Sequence, residues 1–157
     1  MADIVLQRDV QSLLTARLAS AFVSATAGGA GNATAVTGLI IDRMATGSLP
    51  LNAELMFAYS ATLAANKTLS IGALSLSDSA DGSTFATLST YTDPGVFATG
   101  PTGGATLTGV LKLGVALGAA RRFIRFGFTP TLSNTSTDTA SLVAVLNLAG
   151  FDRLPAS

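Results

Sequence analysis

The chain has 157 residues and no net charge, nine basic side chains balancing nine acidic ones, and it contains neither His nor Cys. Apolar residues make up 48% and charged residues only 11%. These values fit one domain. They exclude a disulfide framework and thiolate chemistry, remove the usual general base and metal ligand, and leave no basic stripe for phosphate contacts.

The N-terminal MADIVLQRDV carries Asp3 and Asp9 and does not read as a signal peptide. Leu6, Val10, Leu13, Leu14, Leu18 and Phe22 fit one helical stripe. Residues 1–24 are therefore expected to form a short helix, or an arm leading into a strand, docked on its own body or on a neighbour, and residues 25–157 a single β-sandwich domain. The uncharged run 18–41 is interrupted by Gly28, Gly29, Gly31 and Asn32, so it reads as strand, turn and strand rather than a membrane span.

Residues 34–43 look like a strand with Leu39, Ile40 and Ile41 as its apolar part, followed by a loop over 44–50. Residues 52–63 alternate, with Leu55, Phe57, Tyr59 and Ala61 on one side. After a short turn at 64–67, Leu69 and Ile71 begin a strand on one parity while Leu74 and Leu76 continue on the other. A β-bulge at Gly72-Ala73 would make that switch. The run 78–83 is a turn, and 84–88 pairs back. Residues 91–105, punctuated by Pro94, Gly95, Gly100, Pro101, Gly103 and Gly104, read as the longest irregular loop. Leu111, Leu113, Val115 and Leu117 mark a strand over 107–117.

The stretch 121–148 organises the rest. Ile124, Phe126 and Phe128 lie on one face, with Phe123, Arg125 and Gly127 on the other. After a polar loop, Leu142, Ala144, Leu146 and Leu148 form a second row. This is a β-hairpin or β-arch whose two strands need another layer, expected from residues 34–88. The fold class is all-β: a β-sandwich or jelly roll of about eight antiparallel strands.

Little here carries chemistry. Glu54 is the only glutamate. Asp78 and Asp81 suit backbone capping at their turn; a weak calcium site with Asp93 is the alternative, and the spacing matches no EF-hand. The glycine-rich 100–104 lacks the Lys and the helix of a phosphate loop. No Ser is aimed by the sequence at Lys67 or Lys112. The sequons at Asn32, Asn66 and Asn134 read as chance matches in a Thr-rich chain. No catalytic residue, cofactor or metal ligand is expected. The candidate contacts to a partner are Val5, Leu6, Val10 and Leu13 near the N-terminus, Arg122 and Arg125 in the organising strand, and Phe151, Arg153 and Leu154 near the other end. Arg125 is either an exposed edge residue beside aromatic rings or a fork for a neighbour's carboxylate.

Three stretches together resemble a family: LAANKTLSIGALSLSDSADGSTFATL at 63–88, the Gly/Thr-rich loop leading into GVLKLGVALGAA, and RRFIRFGFTPTLSNTSTDTASLVAVLNLAGFDRLPA at 121–156. They resemble the cement or decoration proteins of tailed bacteriophages, the closing Asp-Arg-Leu-Pro tilting the choice. The resemblance implies a sandwich or jelly roll that sits outside a capsid, with the major capsid protein as partner and self-association as a homodimer or homotrimer. It implies a virion location; synthesis in the host cytoplasm suits the absence of Cys, and the charge pattern and the interrupted apolar run lead to no nucleic acid or membrane partner being expected. Two alternatives stay open. One is a glycan-binding sandwich on the virion surface or tail, with Tyr91, Phe85 and Phe97 as loop aromatics. The other is a jelly-roll shell, tail or connector protein.

Overall fold

Period-two alternation sorts each long segment into a core face and an outer face, and a one-residue change of register would swap them. The computed structural model describes residues 13–151 apart from Thr46 and Ser136, and its elements are all strands. They are β1 (Thr15–Leu18), β2 (Val23–Thr26), β3 (Val36–Thr37), β4 (Ile41–Asp42), β5 (Pro50–Leu63), β6 (Thr68–Ser79), β7 (Ala86–Thr90), β8 (Gly95–Thr99), β9 (Ala105–Ala116), β10 (Phe123–Leu132) and β11 (Thr139–Phe151).

In the first sheet β1 and β2 both pair with β11, which pairs with β5, which pairs with β9. In the second, β3 and β4 both pair with β10, then follow β6 and the pair β7 and β8. Every pairing is antiparallel. Each double edge is one strand broken in two. Counted as single strands, the eight run first, eighth, third, sixth in one sheet and second, seventh, fourth, fifth in the other. That is the connectivity of a jelly roll: successive strands alternate between the sheets except the fourth and fifth, which pair as a hairpin in the second.

The core lies between the sheets. Leu55, Phe57, Leu142, Ala144 and Leu146 face Leu74, Leu76, Ile124, Phe126 and Phe128 across it. Phe57 and Phe128 meet edge to face at 4.9 Å. A smaller cluster around Ala61, Leu63, Leu69 and Leu132 fills one end.

Of the hairpin and the arch expected over 121–148, the structure has the arch: β10 and β11 lie in opposite sheets and do not pair with each other. Each is the other's cover. Other expectations change. Residues 34–88 do not build a separate layer over both, because they give β5 to one sheet and β6 to the other. Of the helix and the arm leading into a strand expected over residues 1–24, the strand is present as β1 and β2, so pairing begins ahead of the expected domain start at 25. Leu18 and Phe22 of the helical stripe are exposed. The break between β1 and β2 is held by Ser20: its backbone N–H and that of Ala19 donate to Ala144 O, and its Oγ accepts from Ala144 N.

The strand expected over 34–43 is interrupted at Gly38, where Leu39 and Ile40 turn outward. Gly38 N donates to Phe126 O. A Cβ there would sit 2.4 Å from Ala19 O and 2.5 Å from Phe126 O, so only glycine lets the edge lines of the two sheets approach. The loop expected over 91–105 contains β8, whose short run between Pro94 and Gly100 pairs with β6. The bulge at Gly72-Ala73 is present. Ala73 has φ of 51°, and the register of β6 with β10 shifts between Gly127 and Thr129.

Candidate interaction surfaces

The outer face of the first sheet follows from register alone, because paired residues share a face. One end is a hydroxyl carpet: Thr26, Thr139, Thr62 and Thr106 form one cross-strand row, and Ser24, Ser141, Ser60 and Thr108 the next. Thr62 and Thr106 hydroxyls bond at 2.8 Å. The next row is Val143, Ala58 and Val110, and the next Leu18, Val145, Met56 and Lys112. Phe22, 77% exposed, lies beside Val143 and Ala58 over a shallow depression. The charges within these rows and the next are Glu54 and Lys112, and they neutralise each other at 3.3 Å. The result is a broad face of hydroxyls and small apolar groups crossed by an apolar band. It resembles the poorly charged centre of a protein interface.

The second sheet presents a different face. Arg122 forks onto Asp42, with Nε donating to Oδ1 at 3.0 Å and Nη2 to Oδ2 at 2.7 Å. That bond holds the Asp42 carboxyl below its ordinary range and pushes the Arg122 guanidinium up. The Arg122 guanidinium also lies 4.9 Å from the Phe123 ring centroid. Arg125 stacks on Phe85 at 4.1 Å, and no carboxylate among the described residues forms an ion pair with it. Arg125 thus keeps its fork for another group, whereas Arg122 is already engaged inside the chain.

The remaining sequence candidates fall apart in space. Leu13 is partly exposed just before β1, and Phe151 is half-buried at the end of β11 opposite Pro50. Val5, Leu6, Val10, Arg153 and Leu154 lie outside the described residues. The three aspartates weighed for a calcium site do separate work. Asp81 Oδ1 accepts from Ser83 N, Thr84 N and Ser79 Oγ. Asp78 Oδ2 accepts from Arg121 N, and Asp93 Oδ1 from Leu74 N beside the bulge. Among the described residues no three acidic side chains gather as a metal site.

Of the loop aromatics, Tyr91 is half-buried and its hydroxyl pKa is raised by burial. Phe97 lies on β8 and meets Tyr59 edge to face at 4.9 Å. Phe85 is covered by Arg125.

No protein-family model matches the sequence, and no curated protein matches it either. The fold has a solved counterpart. Over 91% of its length the chain superposes on a chain in the structure of infectious bursal disease virus, Gx strain, with a TM-score of 0.50 at 10% identity. It spans 34% of that longer chain. At this identity the likeness bears on the fold alone.

The core parity of each strand does not reveal the apolar band. The signal was on the opposite parity: Met56, Val110, Val143 and Val145 are apolar residues at positions the alternation assigns to solvent. Phe22 also fits a helical stripe in the sequence, and that spacing masks its place beside the band.

Proposed function

We propose that this chain is a non-enzymatic structural protein of a bacteriophage virion, which binds the outside of the capsid and stabilises contacts between capsomers of the major capsid protein. The observation that carries this reading is the outer face of the first sheet. A flat, internally neutral expanse of Ser, Thr, Ala and Val with an exposed Phe suits close contact with another protein surface, and gives nothing to a small-molecule reaction. The three stretches that resemble cement proteins supply the kind of partner, and a fold shared with a chain of a virus structure is in keeping with it. A protein that binds the assembled shell but not separated subunits shifts the equilibrium towards the shell, and repetition over many sites multiplies weak contacts.

The experiment compares capsids with and without the protein under heating and osmotic shock, alongside its copy number relative to the major capsid protein. Lower survival of bare capsids, with copies in a simple ratio to the shell subunit, is the expected outcome. Equal survival, or a handful of copies per particle, overturns it.

A further inference from the structure

Three of the four sheet edges are interrupted. β1 and β2 are parted by residues 19–22, β3 and β4 have two residues each, and β7 and β8 are split at 91–94 with register shifts against β6. The fourth edge is β9, which runs unbroken for 12 residues and, among the described residues, pairs on one side only, with β5. Leu117 N donates to Leu51 O at 2.8 Å, which sets the phase of that ladder. The odd-numbered residues of β9 turn their N–H and C=O groups to β5. Thr106, Thr108, Val110, Lys112, Gly114 and Ala116 turn theirs to the open edge. This long edge has no Pro and no bulge; the one edge-protecting residue it carries is Lys112, whose charge is paired with Glu54 of the neighbouring strand.

We propose that β9 pairs antiparallel with β9 of a second copy about a two-fold axis, joining the first sheets of two protomers into one. Paired residues share a face, so even-numbered residues must meet even-numbered residues. Centring the pair on Val110 sets Val110 against itself, Thr108 against Lys112 and Thr106 against Gly114. The two Lys112 side chains are then about 13 Å apart along the strand direction, at ~3.3 Å per residue, beyond the ~8 Å physiological Debye length. In this register the apolar row Val143, Ala58 and Val110 runs on into its own copy. A second copy is the occupant because the main-chain ladder is self-complementary under a two-fold axis and the chain has no net charge to repel itself. This goes beyond capsid binding and does not rest on it.

The test is sedimentation of the full chain over a concentration series, with amide hydrogen exchange read residue by residue. A dimer with slow exchange at Thr108, Val110 and Lys112 is expected. Val110→Pro removes an N–H that faces the open edge and none that serves β5, so the β5 ladder survives and the dimer is lost. Val110→Lys keeps that N–H and sets two cations face to face, weakening the dimer about tenfold or more. Capsid binding by the folded monomeric variant reports separately on the function proposed above. Fast exchange at the even-numbered amides of a monomer overturns the proposal. So does a dimer that persists in either folded variant, or edge protection that appears only when a different protein's strand is added.

Discussion

Arg43 is 1% exposed, and its guanidinium is spent on carbonyls rather than on a carboxylate. Nη1 donates to Ala120 O and to Arg121 O, and Nη2 donates to Pro50 O at 2.6 Å. One side chain thus ties the end of β4 to the start of β5 and to the β9–β10 turn. Burial lowers its pKa while the nearby Asp78 charge raises it. Arg43→Met would strand three carbonyls and leave the Asp78 carboxylate without its nearby cation, so a loss of about 3 kcal/mol is expected in urea unfolding. Asp81 gives a pH signature. Ser79 Oγ first, then the amides of Thr84 and Ser83, hold its carboxyl far below its ordinary value of 3.8. A depressed folded pKa contributes stability that is full above the unfolded value and fades as pH falls through the folded one. Asp81→Ala should therefore lower the unfolding midpoint most at neutral pH, and the gap from wild type should narrow below about pH 4. A gap unchanged across that range would show that the turn is held by something other than the ionised carboxylate.

The long strands were legible because alternation runs through ten or more residues, as in the 10 residues of β10 and the 13 of β11. Even the bulge was readable, from Leu69 and Ile71 on one parity and Leu74 and Leu76 on the other. The broken edges were not. Two residues in β3 or β4 carry no period, and β8 is hidden among Pro and Gly residues. Nor could alternation tell a hairpin from an arch, since β10 and β11 alternate the same way whether they pair or face each other. The bulge itself can be tested. Ala73 holds a left-handed φ of 51°, a conformation that costs a residue with a Cβ roughly 1 kcal/mol. Ala73→Gly removes that strain but adds unfolded-state entropy, so its net effect should lie within about 0.5 kcal/mol of zero. A β-branched Ala73→Val should cost more than 1 kcal/mol, roughly, because the left-handed region is least open to such residues. Thermal melts of the two variants would show that asymmetry, and equal midpoints would mean that the bulge relaxes.

At the scale of the whole molecule the two outer faces differ in kind, and that difference decides how a partner would be held. The first sheet offers apolar and hydroxyl groups around Phe22, with its one ion pair internally satisfied. The second offers Arg125 on its Phe85 platform, with a fork left to pair. Because Phe22 is 77% exposed, Phe22→Ala should change folding stability by no more than about 0.5 kcal/mol. If the first sheet meets the capsid, the same substitution removes its exposed aromatic anchor and should weaken binding to capsids stripped of this protein by about 2 kcal/mol, roughly 30-fold. Binding through this face should vary little with salt, since few charges are involved. Arg125→Ala is the counterpart. Docking through the second sheet would make that variant the weak one, and wild-type affinity would then fall as salt is raised, because an exposed cation is screened. Measuring both variants at two ionic strengths separates the faces: a Phe22 effect insensitive to salt assigns contact to the first sheet, and an Arg125 effect that fades with salt assigns it to the second.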